Sequence, residues 1–447
     1  MLRRKAAPGA PMPETKTVWP PSLWAAVSPP GPDLPALRGA ERADVAVVGA
    51  GFTGLSTALH LRRASVDVAV VEAAEPGWGA SGRNNGQVIP TLSRPDPEDI
   101  VRRHGAAGER FVRLLRDSAS ILFDLAREEG IEAEAEQNGW VQPVHSPGRM
   151  AVAERRVRQW SAVGADVELL DRAAARDLLG SDAWHGGWLN RTGGHVNPLA
   201  LARGLARSVL RAGGRVFARS PVTGLAREGD RWVVRTDGGG ELRARALVLA
   251  TNAYSLEFTS RVRPDVARQV VPVLSWQMAT EPVTDNLRGT IIPGRQAMSD
   301  THGELWFARY NARDRLVTGG ALAAPFNRAD RLKPHVGERL RRIWPQLGEV
   351  RFTHVRNSHI GMTRDFLPRI HRLGPDAFAW AGCNGRAVAL SVALGRELAA
   401  AARGADPDTL ALPFSDPRPV PFHGLARRLA PPLALLAYRR RDAREVA

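Results

Sequence analysis

Residues 44–90 constrain this chain more than any other stretch. They open DVAVVGAGFTGLSTALHL, pass a lone acid at Glu72 and end in GWGASGRNNGQVIP. The four apolar residues 45–48 predict a buried parallel strand. Gly49, Gly51 and Gly54 then form G-x-G-x-x-G around Phe52 and Thr53, and Leu55, Ala58, Leu59 and Leu61 continue with helical spacing. In such a unit Gly49 makes the tight turn, Gly51 lets a pyrophosphate approach bare backbone, and Gly54 lets the helix pack close to the strand. The helix N-terminus offers free N–H groups and a positive dipole end to the phosphates. A second apolar run, 66–71, ends at Glu72, eighteen residues beyond Gly54. A carboxylate there suits ribose hydroxyls and repels a 2′-phosphate, which argues against NADP. A glycine turn in an ordinary βα unit is the alternative. The strand before, the helix after and the acid closing the next strand together favour a dinucleotide.

The length of 447 residues allows two cores, or one nucleotide-binding domain interleaved with a second. No run approaches the roughly 20 apolar residues of a membrane helix, so no membrane span is expected. The first residues, MLRRKAAPGAPMPETK, are basic without an apolar h-region, which reads against a secretory signal. Either Met1 or Met12 can be the start. A formal charge of +16 raises nucleic acid as a partner, yet Lys5, Lys16 and Lys333 are the only lysines. Arginine supplies the rest, spread over the whole chain, so no nucleic-acid partner is expected. The densest cluster, Arg439, Arg440 and Arg441 with Arg427 and Arg428 before it, reads as a solvated tail face. Cys383 is the sole cysteine, which excludes an intrachain disulfide and a Cys-based metal cluster. No metal is expected, and a reducing cytoplasm fits.

The chain reads as a discontinuous α/β fold. Residues 1–40, rich in Pro and carrying Trp19 and Trp24, predict an extended arm. Helical patterns cover 96–130, about 149–163 and 172–179, with a short strand at 140–144 between the first two. A long helix is expected after Asn197, its cap, and Pro198, in its first turn. Residues 215–229 read as a strand, 231–250 as a hairpin-like meander, and 266–360 as strand-rich around a helix at 334–346. The segment AFAWAGCNGRAVALSVALGRELAAAARG is again strand, glycine turn and helix. Two strand–Gly–helix units near opposite ends, separated by β-rich sequence, imply the discontinuity.

Taken together, GAGFTGLSTALHL, Glu72, GWGASGRNNGQV, GGHVNP, LVLATNAYS, MTRDFLPRI and GCNGRAVAL resemble the FAD-dependent D-amino-acid-oxidase-like family, and within it the γ-glutamylputrescine-oxidoreductase-like branch. The resemblance spans nearly the whole chain. It implies a Rossmann-like FAD-binding domain built from 41–100, 190–262 and 364–405. A mixed β-sheet substrate domain would occupy 101–189 and 263–363, and a basic tail 406–447. Gly49, Gly51, Phe52, Thr53 and Gly54 would then hold the pyrophosphate of non-covalent FAD, and Glu72 the adenosine ribose. Ala80, Ser81, Gly82, Arg83 and Asn84 would run beside the flavin ring and pyrophosphate. Val222 would give backbone contacts to adenine, and Thr251 and Asn252 would close the strand returning beneath the cofactor. Gly382, Asn384, Gly385 and Val388 would present backbone N–H groups and a helix N-terminus to the flavin O2/N1 edge, where reduction builds negative charge.

The implied chemistry is hydride transfer from the carbon bearing an amine to flavin N5, then hydrolysis of the imine, with O2 reduced to H2O2. It needs no Ser/His/Asp triad, and none is evident. Arg356 is a candidate to meet a substrate carboxylate, or it simply sits at the surface, and Arg309 is another anion-binding candidate. Relatives that use a lysine near the flavin for oxygen have no counterpart between Lys16 and Lys333, so His302 or His359 is a candidate for that place. Without such a group the flavin would pass electrons to another acceptor, making the chain a dehydrogenase. His195 and Asn197 read as brace and cap of the long helix. Thr363 and Asp365 either fix the loop ahead of Pro368 or touch substrate. Cys383 reads as a small buried residue in the flavin-facing turn. An NAD-dependent dehydrogenase is disfavoured by GASGRNNGQ and GCNGRAVAL, and a non-enzymatic nucleic-acid-binding or scaffold protein by the scattered arginines.

Overall fold

The computed structural model describes residues 18–321 and 328–446; the start of the expected arm, with Lys5, Met12 and Lys16, lies outside them. Val45 and Val47 turn to one face of the strand Ala40–Val48, Ala46 and Val48 to the other, and each pair is buried in its own apolar cluster. A strand apolar on both faces belongs in the middle of a covered sheet. Val68–Val71 pairs with it in parallel on one side, Val48 opposite Val71, and Glu241–Leu249 on the other, Val48 opposite Leu249. Ala377–Ala381 follows in parallel, with Leu249 opposite Ala379. These four strands end at one edge. The nine-stranded sheet is completed by Arg215–Phe217 on one side and by Arg369–Gly374 and Phe414–Ser415 on the other. A hairpin, Val222–Glu228 with Arg231–Thr236, branches from Glu241–Leu249.

Two local expectations change. The strand read over 215–229 breaks in two, because Arg219 takes a φ of +51° and Pro221 follows it. Phe414–Ser415, read as tail, joins the sheet edge, where Phe414 lies against Phe378 with ring centroids 5.1 Å apart. The long helix is Pro198–Arg211, and the Asn197 side chain caps it by accepting from the Ala200 N–H at 3.2 Å.

A second, eight-stranded sheet runs Phe352–Met362, Val271–Pro282, Arg315–Gly320, Phe307–Tyr310, Ala297–Ser299, Trp140–Pro143, Gly187–Asn190 and Val167–Leu170. The arm contributes the short helix Leu23–Val27. Its Trp24 is fully buried and donates from Nε1 to the Asn84 carbonyl at 2.8 Å, so the arm is pinned under the loop that follows the first nucleotide-type unit.

The helices Phe52–Arg63 and Val388–Ala402 come from opposite ends of the sequence and pack against each other. Ser56 Oγ donates to the Val392 carbonyl at 2.8 Å, and a Cβ on Gly395 would fall 2.3 Å from that Oγ and 2.8 Å from the Thr57 nitrogen. Gly395→Ala therefore has to push the two helices apart. Its expected cost is about 1–3 kcal/mol of stability, read as a lower denaturant midpoint; an unchanged midpoint would contradict this packing.

Candidate active site

All four parallel strands deliver their next residues to one crevice: Gly49, Glu72, Ala250–Thr251 and Gly382. Gly49 has a φ of +106°, open to glycine, and an added Cβ would lie 3.2 Å from the Ala250 carbonyl. On Gly51 a Cβ would fall 2.8 Å from Ser81 Oγ, and on Gly54 it would fall 2.0 Å from the Gly49 oxygen. The helix Phe52–Arg63 starts with Gly51 as an N-cap that has no side chain to offer. Ser81 Oγ accepts from the Phe52 N–H at 3.1 Å, while the Thr53 hydroxyl is buried without a partner. The positive end of the helix thus opens onto the crevice.

Glu72 closes the next strand with both carboxylate oxygens engaged. One accepts from the Ala50 N–H at 2.6 Å, the other from the Ala74 N–H at 2.9 Å. Burial pushes its pKa up, and the backbone N–H groups oppose that shift. A carboxylate oxygen has lone pairs to spare for a further donor.

The loop 77–86 forms one wall. Asn84 braces it, donating to the Ala80 and Ser81 carbonyls at 3.0 and 2.8 Å and accepting from the Gly86 N–H at 2.7 Å. The opposite wall joins two segments. Asn384 Oδ1 accepts from the Thr363 N–H at 2.9 Å, and Asn252 Oδ1 from the Gly382 N–H at 3.0 Å. There Val388–Ala402 begins, again without a side-chain cap, so a second helix N-terminus meets the same space. Between the walls lies a cavity of ≈ 1140 Å³, lined by Gly49, Gly51, Phe52, Thr53, Glu72, Ala80, Ser81, Asn84, Val222, Thr251, Asn252, Asn384, Gly385 and Val388.

A family model for FAD dependent oxidoreductases (DAO) matches residues 44–401. The chain belongs to this family. FAD is therefore its cofactor, and the crevice fits it: two helix N-termini whose N-cap residues give no side-chain cap, an orphaned Thr53 hydroxyl and an acid at a strand end face one cavity. The chain is 31% identical to gamma-glutamylputrescine oxidoreductase of Escherichia coli (strain K12), over 81% of this chain and 84% of that one. Among solved structures, glycine oxidase from Geobacillus kaustophilus superposes with a TM-score of 0.69 at 20% identity, covering 82% of this flavoprotein and 96% of that chain. L-amino acid deaminase from Proteus vulgaris gives a TM-score of 0.70 at 18% identity, covering 87% and 96%.

Several residues singled out in the sequence stand back from the cavity. Gly54 and Gly382 shape its walls from behind, as does Gly82, where a Cβ would meet the Gly77 oxygen at 2.3 Å. Arg83 turns away into a buried site, with Nη2 donating to the Tyr254 hydroxyl at 2.7 Å and the guanidinium 4.4 Å from the Trp78 ring centre. The two arginines considered for a substrate carboxylate correct that expectation. Arg309 donates to the carbonyls of Asn85 (2.8 Å), Val196 (2.7 Å) and Tyr310 (2.8 Å), and Arg356 to those of Arg83 (3.1 Å) and Asn84 (2.9 Å). Neither lines the cavity; both hold the loop that does. Burial pulls Arg309 down to about 9, still charged at neutrality.

His302 and His359 do line the cavity. His302 pairs through Nδ1 with Asp300 at 2.5 Å and is stacked between His145 and Trp306, at 4.0 and 3.9 Å. Burial lowers the pKa of His359, which meets the Tyr254 ring edge-on at 5.5 Å. Thr363 Oγ1 donates to the Leu367 carbonyl at 2.9 Å and Asp365 pairs with Arg369, bonds that brace the loop ahead of Pro368, while Thr363 also lines the cavity.

Arg386 escaped the sequence reading although it sits inside GCNGRAVAL. It lines the cavity, fully buried, with its guanidinium 4.8 Å from the Trp140 ring centre. Nη1 donates to Thr91 Oγ1 and the Leu92 carbonyl, both at 3.2 Å, while Nε and Nη2 have no partner. A charged residue between the last glycine of the turn and a helix cap was the available signal.

If Arg309 serves the loop, Arg309→Met strands three buried carbonyls, and we expect a loss of roughly 2–4 kcal/mol in denaturant unfolding. Arg309→Lys should recover little, since a point charge cannot replace the fork. Wild-type stability in both variants would return Arg309 to the list of substrate-binding candidates.

Proposed function

We propose that this flavoprotein oxidises the C–N bond of an amine or amino acid that also carries a carboxylate. The observation that carries the reading is Arg386, a buried cation with two unpartnered donors in the wall of the cofactor cavity. A buried guanidinium calls for an anionic partner, and carboxylate matches its fork. Around it the lining arginines outnumber the carboxylates, which are Glu72, Asp300 and Glu304. That the relatives include a gamma-glutamylputrescine oxidoreductase and that structural neighbours include glycine oxidase supports the amine.

In this reading Gly49 and Gly51 with the N-terminus of Phe52–Arg63 hold the FAD pyrophosphate, Thr53 Oγ1 gives it a hydroxyl, and Glu72 accepts from the adenosine ribose. Val222 contacts the adenine. Ala80, Ser81 and Asn84 run along the pyrophosphate and flavin, with Thr251 and Asn252 beneath. Asn384, Gly385 and Val388 bring N–H groups and a helix dipole to the flavin edge that becomes negative on reduction. Bound FAD supplies a two-electron acceptor at N5. Arg386 orients the substrate by its carboxylate, and the amine binds neutral so that its lone pair forms the C=N bond as the C–H pair leaves. Water then adds to the imine and releases a carbonyl compound and an amine or ammonia. O2 takes the two electrons with two protons to give H2O2. We place the reaction in the cytoplasm, with which a single cysteine fits, and read the cofactor as non-covalent.

Two measurements test this. Apoprotein titrated with FAD should bind roughly ten- to a hundredfold more weakly after Glu72→Ala, the equivalent of about 1.5–3 kcal/mol for hydrogen bonds to a charged group; unchanged affinity removes Glu72 from the site. An anaerobic screen should bleach the flavin with carboxylate-bearing amines and not with their decarboxylated analogues, and readmitted oxygen should restore the colour with H2O2. Arg386→Gln should raise KM for the active substrate about ten- to a hundredfold with kcat little changed. Equal bleaching by both substrate sets would sink the carboxylate, and reoxidation only by an artificial acceptor would make the enzyme a dehydrogenase.

A further inference from the structure

The C-terminal helix His423–Val446 lies over the cavity mouth, which Pro431, Ala434, Leu435 and Tyr438 help to line. Polar contacts fasten that inner face. His423 donates to the Val270 carbonyl at 2.9 Å, Arg439 pairs with Glu304 at 2.9 Å, Asp442 accepts from the Gly303 N–H at 2.8 Å, and Glu445 pairs with Arg149 at 2.6 Å. The outer face is apolar over residues 422–436 and continues in Arg440 and Arg444. Leu425, Leu429, Leu433 and Leu436 are spaced four, four and three residues apart, which sets them on one side of a helix, opposite the fastened one. They are 59%, 48%, 61% and 43% exposed, and Phe422, at the start of the helix, is 86% exposed. Among the described residues the only large exposed apolar side chains elsewhere are Val18 and Leu169. Arg440 and Arg444 are exposed on the same helix and make no ion pair or hydrogen bond among the described residues.

We propose that this helix lies flat on a membrane surface containing anionic lipid, with the leucine stripe and Phe422 in the acyl boundary and the arginines at the headgroups. An amphipathic helix that is apolar on one side and arginine-bearing has the chemistry of an interfacial anchor. No described helix is long and apolar enough to cross a membrane, so the helix attaches without spanning. A second copy of the chain is the less fitting occupant: its stripe of Phe422, Leu425, Leu429, Leu433 and Leu436 offers no acid to Arg440 and Arg444, whereas phosphate headgroups complement them. Attachment in this orientation sets the cavity mouth beside the lipid surface. The proposal is independent of which substrate is oxidised, because its readout is binding.

The test is flotation of the flavin-loaded enzyme with phosphatidylcholine vesicles, with and without phosphatidylglycerol. The wild type should float with the phosphatidylglycerol vesicles, less so as salt rises, and little with phosphatidylcholine alone. Leu429→Ser combined with Leu433→Ser should weaken vesicle binding by more than roughly tenfold, and Arg440→Glu with Arg444→Glu should abolish the preference for phosphatidylglycerol. The flavin spectrum and denaturant midpoint of each variant should match the wild type, since all four side chains point outward. Three results would overturn the proposal: no flotation with either vesicle, flotation unaffected by the leucine changes, or a solution dimer that the leucine changes dissociate while vesicles stay unbound.

Discussion

The helix Phe52–Arg63 can aim its N-terminus into the crevice only because Gly54 has no side chain. A Cβ there would stand 2.0 Å from the Gly49 carbonyl oxygen, so any other residue forces the helix off the strand end. The same close approach recurs on the other side of that helix, where Gly395 admits Ser56 against Val388–Ala402. One helix is thus pressed between a strand that precedes it directly and a helix from the far end of the chain. The two N-termini that meet at the cavity are therefore positioned by a single stack of close contacts. Local turn and distant segment depend on each other: loosening either would misaim both dipoles at once.

How much of this was legible in the sequence follows from how local each signal was. Gly49, Gly51, Gly54 and Glu72 could be read because strand, turn, helix and next strand are consecutive, so spacing alone fixes their relation. Asn197 could be read as a cap for the same reason. A discontinuous α/β fold followed from the second strand–Gly–helix unit near the opposite end. Arg309 and Arg356 went wrong because their partners are main-chain carbonyls of residues 83–85, 196 and 310, brought together only by the folded sheets. A sequence displays charges; it does not display which carbonyls lack donors. Arg386 was passed over inside a motif whose glycines drew attention to backbone, although its side chain reaches the cavity wall.

In the C-terminal segment the arginines suggested a solvated face, and Arg427, Arg428 and Arg440 are exposed; the leucines between them, interrupted by Pro431 and Pro432, gave no clean period until the helix was seen to run through the prolines. Arg439, Asp442 and Glu445 face inward and, with buried Leu435, hold it to the body of the protein. A helix fastened largely by its charged residues and exposing four of its five leucines inverts the usual arrangement of a surface helix. That inversion is what separates it from the other helices of the fold.

Arginine and tryptophan explain one another in this chain. Arg83 lies over Trp78 at 4.4 Å, Arg309 and Arg356 over Trp24 at 4.7 and 5.7 Å, Arg386 over Trp140 at 4.8 Å, and Arg339 over Trp306 at 5.2 Å. All five guanidiniums are largely or wholly buried, with burial lowering the pKa of each. Lysine could not take these places, because an ammonium is more strongly hydrated and has no flat face to lay on an indole. Much of the +16 charge that suggested a polyanionic partner is therefore turned inward, where it ties loops to sheets through carbonyls and rings. Only Arg386 of the five combines that support with free donors at the cavity, and this is why the anion-binding role falls to it rather than to the arginines the sequence made conspicuous.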